Sequence, residues 1–144
     1  MAAGPNEVRV EVVGIFQHRE SGVEEERRTP VLILRDSVDR DLDLPVGSCE
    51  ALAIHLALGG HVVSRPLTHD LALRLLEKLS GSLERVVIDK AGRDSYQGSI
   101  YLRVPHGELC LTAQPGDAVA LALRAETPIY VTEETFLGTD RESA

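Results

Sequence analysis

The sequence has 144 residues, 43% of them apolar and 26% charged, which is enough for one domain with a hydrophobic core. Aromatic residues account for only 3%, so aliphatic side chains must form the core, and base-stacking platforms for single-stranded nucleic acid are not expected. The formal net charge of −8 repels nucleic acids at long range, so a nucleic-acid partner would need a local basic patch or bridging metal ions.

The first half of the chain predicts three strands followed by a helix. Residues 8–16 alternate and are rich in valine, and the polar run 17–28 predicts a hairpin loop. Residues 29–36 predict a second strand, buried on both faces because its run is apolar, and 40–46 alternate as a third. After Glu50 at its start, the helix expected at 50–58 is apolar except for His55, which predicts a central position.

The segment SRPLTHDLALRLLEKLSG, residues 64–81, predicts an amphipathic second helix that ends at Gly81. Its charged residues lie opposite an apolar stripe, which is expected to face the core. The stripe consists of Leu71, Ala72, Leu75, Leu76 and Leu79.

The second half of the chain predicts further strands and a third helix. This helix is expected at 115–124, with Pro115 in its first turn, and the residues EETFL (133–137) add one helical turn. The predicted strands are 83–90, 99–104, 108–113 and 128–132.

The two apolar helices share a pattern. Residues 50–56 align with 117–123, and each segment carries one acid in the first turn of an Ala-rich helix. This echo predicts a weak internal duplication. Together the elements predict an α+β protein: a single compact domain at 8–136, with a mixed or antiparallel sheet and about three to four helices, between flexible termini at 1–7 and 137–144.

The sequence contains two cysteines, Cys49 and Cys110, which lack the spacing of a zinc site. Both lie in apolar segments, which predicts reduced thiols buried in the core. No apolar run is long enough to span a membrane, and no signal-peptide or lipidation pattern is present. We therefore expect a cytoplasmic protein without a membrane partner.

Glu50 and Asp117 are the first candidates for chemistry, because the echo places them at equivalent positions. Either acid alone is explained by its interaction with a helix N-terminus, which contributes a few tenths to about 1 kcal/mol. If the two helices pack side by side, however, the carboxylates converge, and such oxygen ligands suit Mg²⁺ or Mn²⁺. The sequence leaves both interpretations open.

The run from Arg65 to Asp70 is the second candidate. Thr68 as the N-cap and Asp70 in the first turn are enough to start the helix. Helix capping requires neither His69 nor Arg65. A histidine beside a carboxylate can act as a base or a metal ligand, and an arginine before a helix N-terminus can hold a phosphate.

Two further residues have simpler explanations. Asp89 ends a predicted strand and is explained by a turn, although strand ends often carry functional groups. His55 lies within an apolar helix and is expected in the core or at an interface. The sequence contains no P-loop, GxGxxG, HExxH or GxSxG motif. This excludes the familiar nucleotide-binding proteins, zinc proteases and serine hydrolases that these motifs define.

Several segments in order resemble the bifunctional nuclease domain family over nearly the whole chain. The RPLTHDL and PxDAVALALR segments are together quite specific. The matching segments are V-G-x-x-E-A-x-A-I (46–54), RPLTHDL (65–71), VVID (86–89), PxDAVALALR (115–124) and PIYVxEE (128–134).

The resemblance implies a compact α+β domain, common in bacteria, with nuclease activity on both DNA and RNA. One segment departs from the family: TAQPGD (112–117) stands where the pattern reads Asp-Ala-Arg-Pro-Ser-Asp. If the missing acid, basic residue and hydroxyl bind metal and phosphate, nuclease activity is weakened or lost. The polar positions that match the family are Glu50, Arg65, Thr68, His69, Asp70, Asp89 and Asp117.

Two functional hypotheses follow. The first is a metal-dependent nuclease acting on DNA or RNA, in which a divalent Mg²⁺ or Mn²⁺ assists hydrolysis and Arg65 neutralises the scissile phosphate. The second is a non-catalytic module that binds a small ligand or a protein. In either case the apolar helices and the long first strand favour a homodimer. The hypothetical catalytic residues are His69, Asp70, Glu50 and Asp117, and the hypothetical metal ligands are Glu50, Asp117 and Asp89.

Overall fold

A computed structural model of the protein describes residues 3–18, 29–60 and 67–142. Most of the predicted hairpin loop at 17–28 lies outside the described residues. The strands are β1 (Glu7–His18), β2 (Thr29–Asp36), β3 (Asp41–Pro45), β4 (Ser82–Lys90), β5 (Tyr96–Val104), β6 (Gly107–Ala113) and β7 (Ile129–Thr132). The helices are α1 (Ser48–Leu58), α2 (Thr68–Lys78), α3 (Pro115–Ala125) and α4 (Glu133–Glu142).

In the described part of the chain, seven strands form one sheet in the order β3-β2-β1-β7-β4-β5-β6. Neighbouring strands are antiparallel, except that β4 and β7 run parallel. The last strand along the chain therefore lies in the centre, where it joins β1–β3 to β4–β6. The prediction of a single α+β domain is confirmed, and the sheet is of the mixed type.

Helices α1, α2 and α3 form a layer on one face of this sheet. Helix α1 lies over β1 and β2, and α3 lies over β4 and β5. The approach is closest at Gly98 on β5, where an added Cβ would lie 2.7 Å from the Cβ of Ala118 on α3. The core between the layers is mainly aliphatic, as the composition predicts. Its fully buried side chains include Leu32, Leu34, Leu42, Ile54, Ile88, Val119 and Val131.

Strand β2 buries alternate residues rather than both faces. Leu32 and Leu34 are fully buried, whereas Val31 and Ile33 are partly exposed. The prediction of two buried faces was wrong, because α1 covers β2 on one face only.

Helix α1 is less central than its composition predicts. Ala51, Ala53 and Ile54 are buried, but Leu52 is 58% exposed and His55 is also exposed. Only the face that meets the sheet and α3 is covered. His55 was expected in the core or at an interface; it does not lie in the core, and an interface position stays a prediction.

Helix α2 presents most of its predicted core stripe to solvent. Leu71, Leu75 and Leu79 are 50%, 57% and 76% exposed. The helix packs instead through Leu73 and Leu76, which are partly buried against the core. The predicted stripe was wrong for all but Leu76, because the polar residues at the start of α2 contact α3 and fix the rotation of the helix.

Both cysteines are free, as predicted, but they are exposed. Cys49 lies in the first turn of α1, and Cys110 lies on β6, which has a neighbouring strand on one side only within the described residues. The prediction of core thiols was wrong, because an apolar sequence segment at the margin of a fold need not be covered. No helix that the structure describes is both long and apolar enough to cross a membrane.

Helix α4 has ten residues, where the sequence predicted a single turn. Arg40, in the turn between β2 and β3, donates to Asp36 (2.7 Å) and to Glu133 on α4 (2.6 Å). Its guanidinium also lies 4.5 Å from the centre of the Phe136 ring. Burial by itself raises the pKa of Asp36, but hydrogen bonds from the Arg40 backbone and side chain outweigh it and lower that pKa. The hydrogen bond from Arg40 likewise lowers the pKa of Glu133.

Candidate functional site

The amino-terminal ends of α1 and α3 lie side by side. An added Cβ at Gly116 would lie 2.7 Å from the Cβ of Glu50, so a larger residue at this position would displace Glu50. Farther along, Nη2 of Arg124 on α3 donates to the carbonyl oxygen of Ala53 on α1 at 3.0 Å. The helices therefore run in the same direction. Glu50 and Asp117, in the first turns of α1 and α3, therefore lie at the same end of the helix layer. A site that both residues share requires this arrangement.

Helix α2 crosses α3 and brings His69 to Asp117. Nε2 of His69 lies 2.9 Å from Oδ1 of Asp117. An ionised carboxylate can only accept, so Nε2 carries the proton and Nδ1 is left as the basic nitrogen. The His69 side chain is 13% exposed, whereas that of Asp117 is 42% exposed. The pair therefore combines a largely buried imidazole with a carboxylate that solvent can reach.

Asp70 connects the start of α2 to α3. Its Oδ2 accepts from the backbone N–H of Leu67 at 3.0 Å, and its Oδ1 accepts from Nε of Arg124 at 2.9 Å. Leu67 is the N-cap residue and Thr68 already belongs to the helix, so the prediction of Thr68 as the N-cap was wrong. The Asp70 carboxylate accepts instead from the N–H of the N-cap residue itself, as an acid at the third helical position does in a capping box.

Arg124 connects the three helices around the site, although the sequence did not mark it as a candidate residue. One guanidinium joins three helices, because it donates to Asp70 on α2, to Ala53 on α1 and to the carbonyl oxygen of Ala120 on its own helix (3.0 Å). Its side chain is only 9% exposed. A sequence signal was present: Arg124 follows Asp117 by two helical turns and so lies on the same face of α3.

Asp89 lies on the other side of the sheet. Its neighbour Ile88 pairs with Gly98, which faces α3, so Asp89 points to the opposite face. There Oδ1 of Asp89 accepts from the hydroxyls of Thr132 (2.8 Å) and Thr135 (3.1 Å). These contacts connect the end of β4 to the start of α4. The structure thus does not bring Asp89 together with Asp117.

The donor groups near His69 form no preassembled metal cage. In the residues described, no three His, Cys, Asp or Glu side chains are grouped closely enough to hold a metal ion by themselves. Asp70 is engaged by Arg124. Asp117 uses one oxygen for His69, and its other oxygen has no hydrogen-bond partner among the described residues. Such a group fits a largely hydrated Mg²⁺ ion that takes one or two protein carboxylates and substrate phosphates as ligands.

A pocket of about 190 Å³ opens beside the Asp70–Arg124 pair, between the start of α2 and the ends of α1 and α3. Arg65 precedes α2 but lies outside the described residues, so its contact with a phosphate stays a prediction. The remaining lining of the pocket is apolar or glycine: Leu56, Ala57, Gly60, Leu67 and Leu123.

These features define a single-domain α+β protein with a mixed sheet, two parallel helices that start together, and a His–Asp pair at their shared end. The chain belongs to the bifunctional nuclease domain family, whose model matches residues 32–140. The matched range includes Glu50, His69, Asp70 and Asp117. The resemblance noted in the sequence is therefore confirmed.

Two similar proteins come from Mycobacterium tuberculosis. They are Uncharacterized protein MT1877 of strain CDC 1551 / Oshkosh and Uncharacterized protein Rv1829 of strain ATCC 25618 / H37Rv. Each is 40% identical over 126 residues, which is 86% of this chain and 71% of the relative. Neither name states an activity.

Proposed function

We propose that the protein is a nuclease that hydrolyses phosphodiester bonds of DNA and RNA with metal assistance, and that the reacting phosphate binds at the His69–Asp117 pair. The observation that carries this proposal is the 2.9 Å contact between His69 Nε2 and Asp117 Oδ1. The contact joins the RPLTHDL and PxDAVALALR segments, both within the residues that match the family.

His69 acts as the general base in this proposal. Asp117 holds the proton on Nε2 and fixes the ring orientation, so Nδ1 can accept a proton from the attacking water. Because the ring is largely buried, packing also restricts its rotation. Asp117 is thus a positioning residue for the base as well as a candidate ligand.

A bound divalent cation supplies a Lewis acid that polarises the phosphodiester. Asp117, through its second oxygen, and Glu50, at the neighbouring helix start, are the residues that would hold it. The paired N-termini of α1 and α3 add the positive ends of two helix dipoles at this place. They offset part of the repulsion that a chain of net charge −8 exerts on a phosphate.

The test is cleavage of labelled single-stranded DNA and RNA by highly purified protein with Mg²⁺, with Mn²⁺ and with EDTA. We expect metal-dependent cleavage that falls by about 100-fold or more in His69→Ala and Asp117→Asn. The matched control is His106→Ala, which removes an exposed histidine from the turn between β5 and β6. Cleavage that all three variants retain would assign the activity to another site or a contaminant. No cleavage under any metal condition would refute the nuclease.

The second candidate is a non-catalytic binding module on the same fold. It is favoured by the close packing of Gly116 on Glu50, because a glycine at this helix start offers no side chain to a metal ion or a phosphate. In this case the acids only stabilise the helix starts. Glu50→Gln or Asp117→Asn would then shift the unfolding midpoint, and neither the wild-type protein nor the variants would cleave nucleic acid.

A further inference from the structure

The two edge strands of the sheet differ in how well they resist pairing with another strand. Strand β3, DLDLP, has five residues, and its aspartates and terminal proline discourage pairing. Strand β6, GELCLTA, has seven residues, with no proline and one charge. In the described residues, no strand lies on its outer side. Natural proteins usually block so long an edge, and an unblocked edge is a template for pairing.

Strand β6 is also exposed on its faces. Six of its seven residues are exposed, and Leu109 and Leu111 are each 53% exposed. They pair with Leu102 and Ile100 of β5, both of which belong to the core. The two leucines therefore extend the helix side of the sheet beyond the cover that the helices provide. An apolar row on an open edge is suited to a neighbouring strand with its own apolar row.

The backbone of β6 selects one symmetric register. Val104 pairs with Gly107 across a two-residue turn, so the hydrogen-bonded pairs with β5 recur at every second residue from Gly107. The intervening residues direct their N–H and C=O groups away from β5, toward the open edge. These residues are Glu108, Cys110 and Thr112.

We propose that β6 pairs antiparallel with β6 of a second copy of this chain, about a two-fold axis at Cys110. In this register Cys110 faces the partner's Cys110 and Glu108 faces the partner's Thr112, so about six backbone hydrogen bonds form. Leu109 lies opposite the partner's Leu111 in the closely spaced type of pair. Glu108 is the only charged residue of β6 and faces a threonine, so no like charges oppose each other.

Pairing in this register has a consequence for the arrangement of the two copies. The two-fold axis is perpendicular to the joined sheet, so the helices of both copies lie on the same side. Only Gln114 separates β6 from α3, which carries Asp117 in its first turn. In each copy Asp117 therefore follows the joined edge strand within one helical turn, and His69 contacts this Asp117. The pairing itself does not depend on nuclease activity.

The test is the mass of the protein in solution, measured by sedimentation equilibrium over a range of concentrations. We expect a dimer whose dissociation constant rises by about ten-fold or more in Cys110→Lys, because an edge lysine opposes strand pairing. Thr112→Pro is a second variant: it removes an N–H that points outward and leaves the β5 pairing intact. Far-UV circular dichroism confirms that each variant is folded.

Two matched controls introduce lysine elsewhere. Asp43→Lys changes the opposite edge strand, β3, and Leu75→Lys changes the exposed face of α2; both are expected to remain dimeric. In a Cys49→Ser background, a short bismaleimide should join the two Cys110 thiols into a covalent dimer. A monomeric wild-type protein would overturn the proposal. So would a dimer that Leu75→Lys dissociates while Cys110→Lys and Thr112→Pro leave it intact.

Discussion

Replacement of Arg124 by methionine tests the helix layer most directly, because the Arg124 guanidinium joins α1, α2 and α3. It donates to the Asp70 carboxylate at 2.9 Å and to the carbonyl oxygens of Ala53 and Ala120 at 3.0 Å each. Methionine keeps much of the apolar stem but removes all three hydrogen bonds. Asp70 then loses its cation at the start of α2.

The expected loss of stability follows from these contacts. A hydrogen bond to a charged group contributes about 1.5–3 kcal/mol. The sum over three such bonds, more than about 4 kcal/mol, is an upper limit for the loss of stability. The actual loss is smaller, since the Asp70 side chain is 32% exposed and regains water. We expect the free energy of unfolding to fall by about 3 kcal/mol, within the range for breaking a largely buried ion pair. For a chain of this length the melting temperature then falls by about 10 °C.

The assay is urea and thermal unfolding followed by far-UV circular dichroism, because the protein has no Trp. Arg74→Met is the matched control, since Arg74 is exposed on α2 and its loss should change the free energy by less than about 0.5 kcal/mol. Arg124→Lys should be intermediate, because an ammonium group cannot reproduce the planar fork. A stability of Arg124→Met equal to that of Arg74→Met would refute the reasoning.

Two further predictions concern acid stability and close packing. The folded pKa values of Asp36 and Glu133 are lowered, so these carboxylates stabilise the fold above their unfolded pKa near 4, and the contribution is lost as pH falls through the folded values. Arg40→Met should flatten the fall of the urea midpoint between about pH 6 and pH 3; an unchanged slope would contradict this. Gly98→Ala should reduce the free energy of unfolding by about 1–3 kcal/mol, because its Cβ would overlap Ala118 at 2.7 Å. Gly92→Ala, in an exposed turn, should leave the free energy of unfolding nearly unchanged. Equal effects in the two variants would show that crowding against Ala118 is not the cause.

Local patterns in the sequence predicted the elements well. Alternation predicted β1 and β3, and the Ala-rich echo predicted two similar helices, because strand and helix periods are properties of neighbouring residues. The echo also predicted that Glu50 and Asp117 could lie at one end of the two helices. The packing of Gly116 on Glu50 shows that the starts of α1 and α3 lie side by side. These are relations that a short segment can carry by itself.

Hydrophobicity alone misplaced α2. Leu71, Leu75 and Leu79 form the stronger apolar stripe, yet Leu73 and Leu76 contact the core. The rotation of a short helix depends on all its contacts, and here the first turn of α2 is held against α3 by the contacts of His69 with Asp117 and of Asp70 with Arg124. No property of the segment alone shows which partner those polar groups will find.

The sequence by itself determined the strands and helices, the family, and the position of Asp70 in the first turn of α2. The tertiary structure decided which side chain each acid contacts. Asp117 contacts His69 and Asp70 contacts Arg124, whereas Asp89 lies on the opposite face of the sheet. It also placed β7 at the centre of the sheet and, in the part of the chain that the structure describes, left β6 as an edge strand. The physical reason is that periodicity and capping act over a few residues, whereas these pairings join residues tens of positions apart and exist only after the layers have packed.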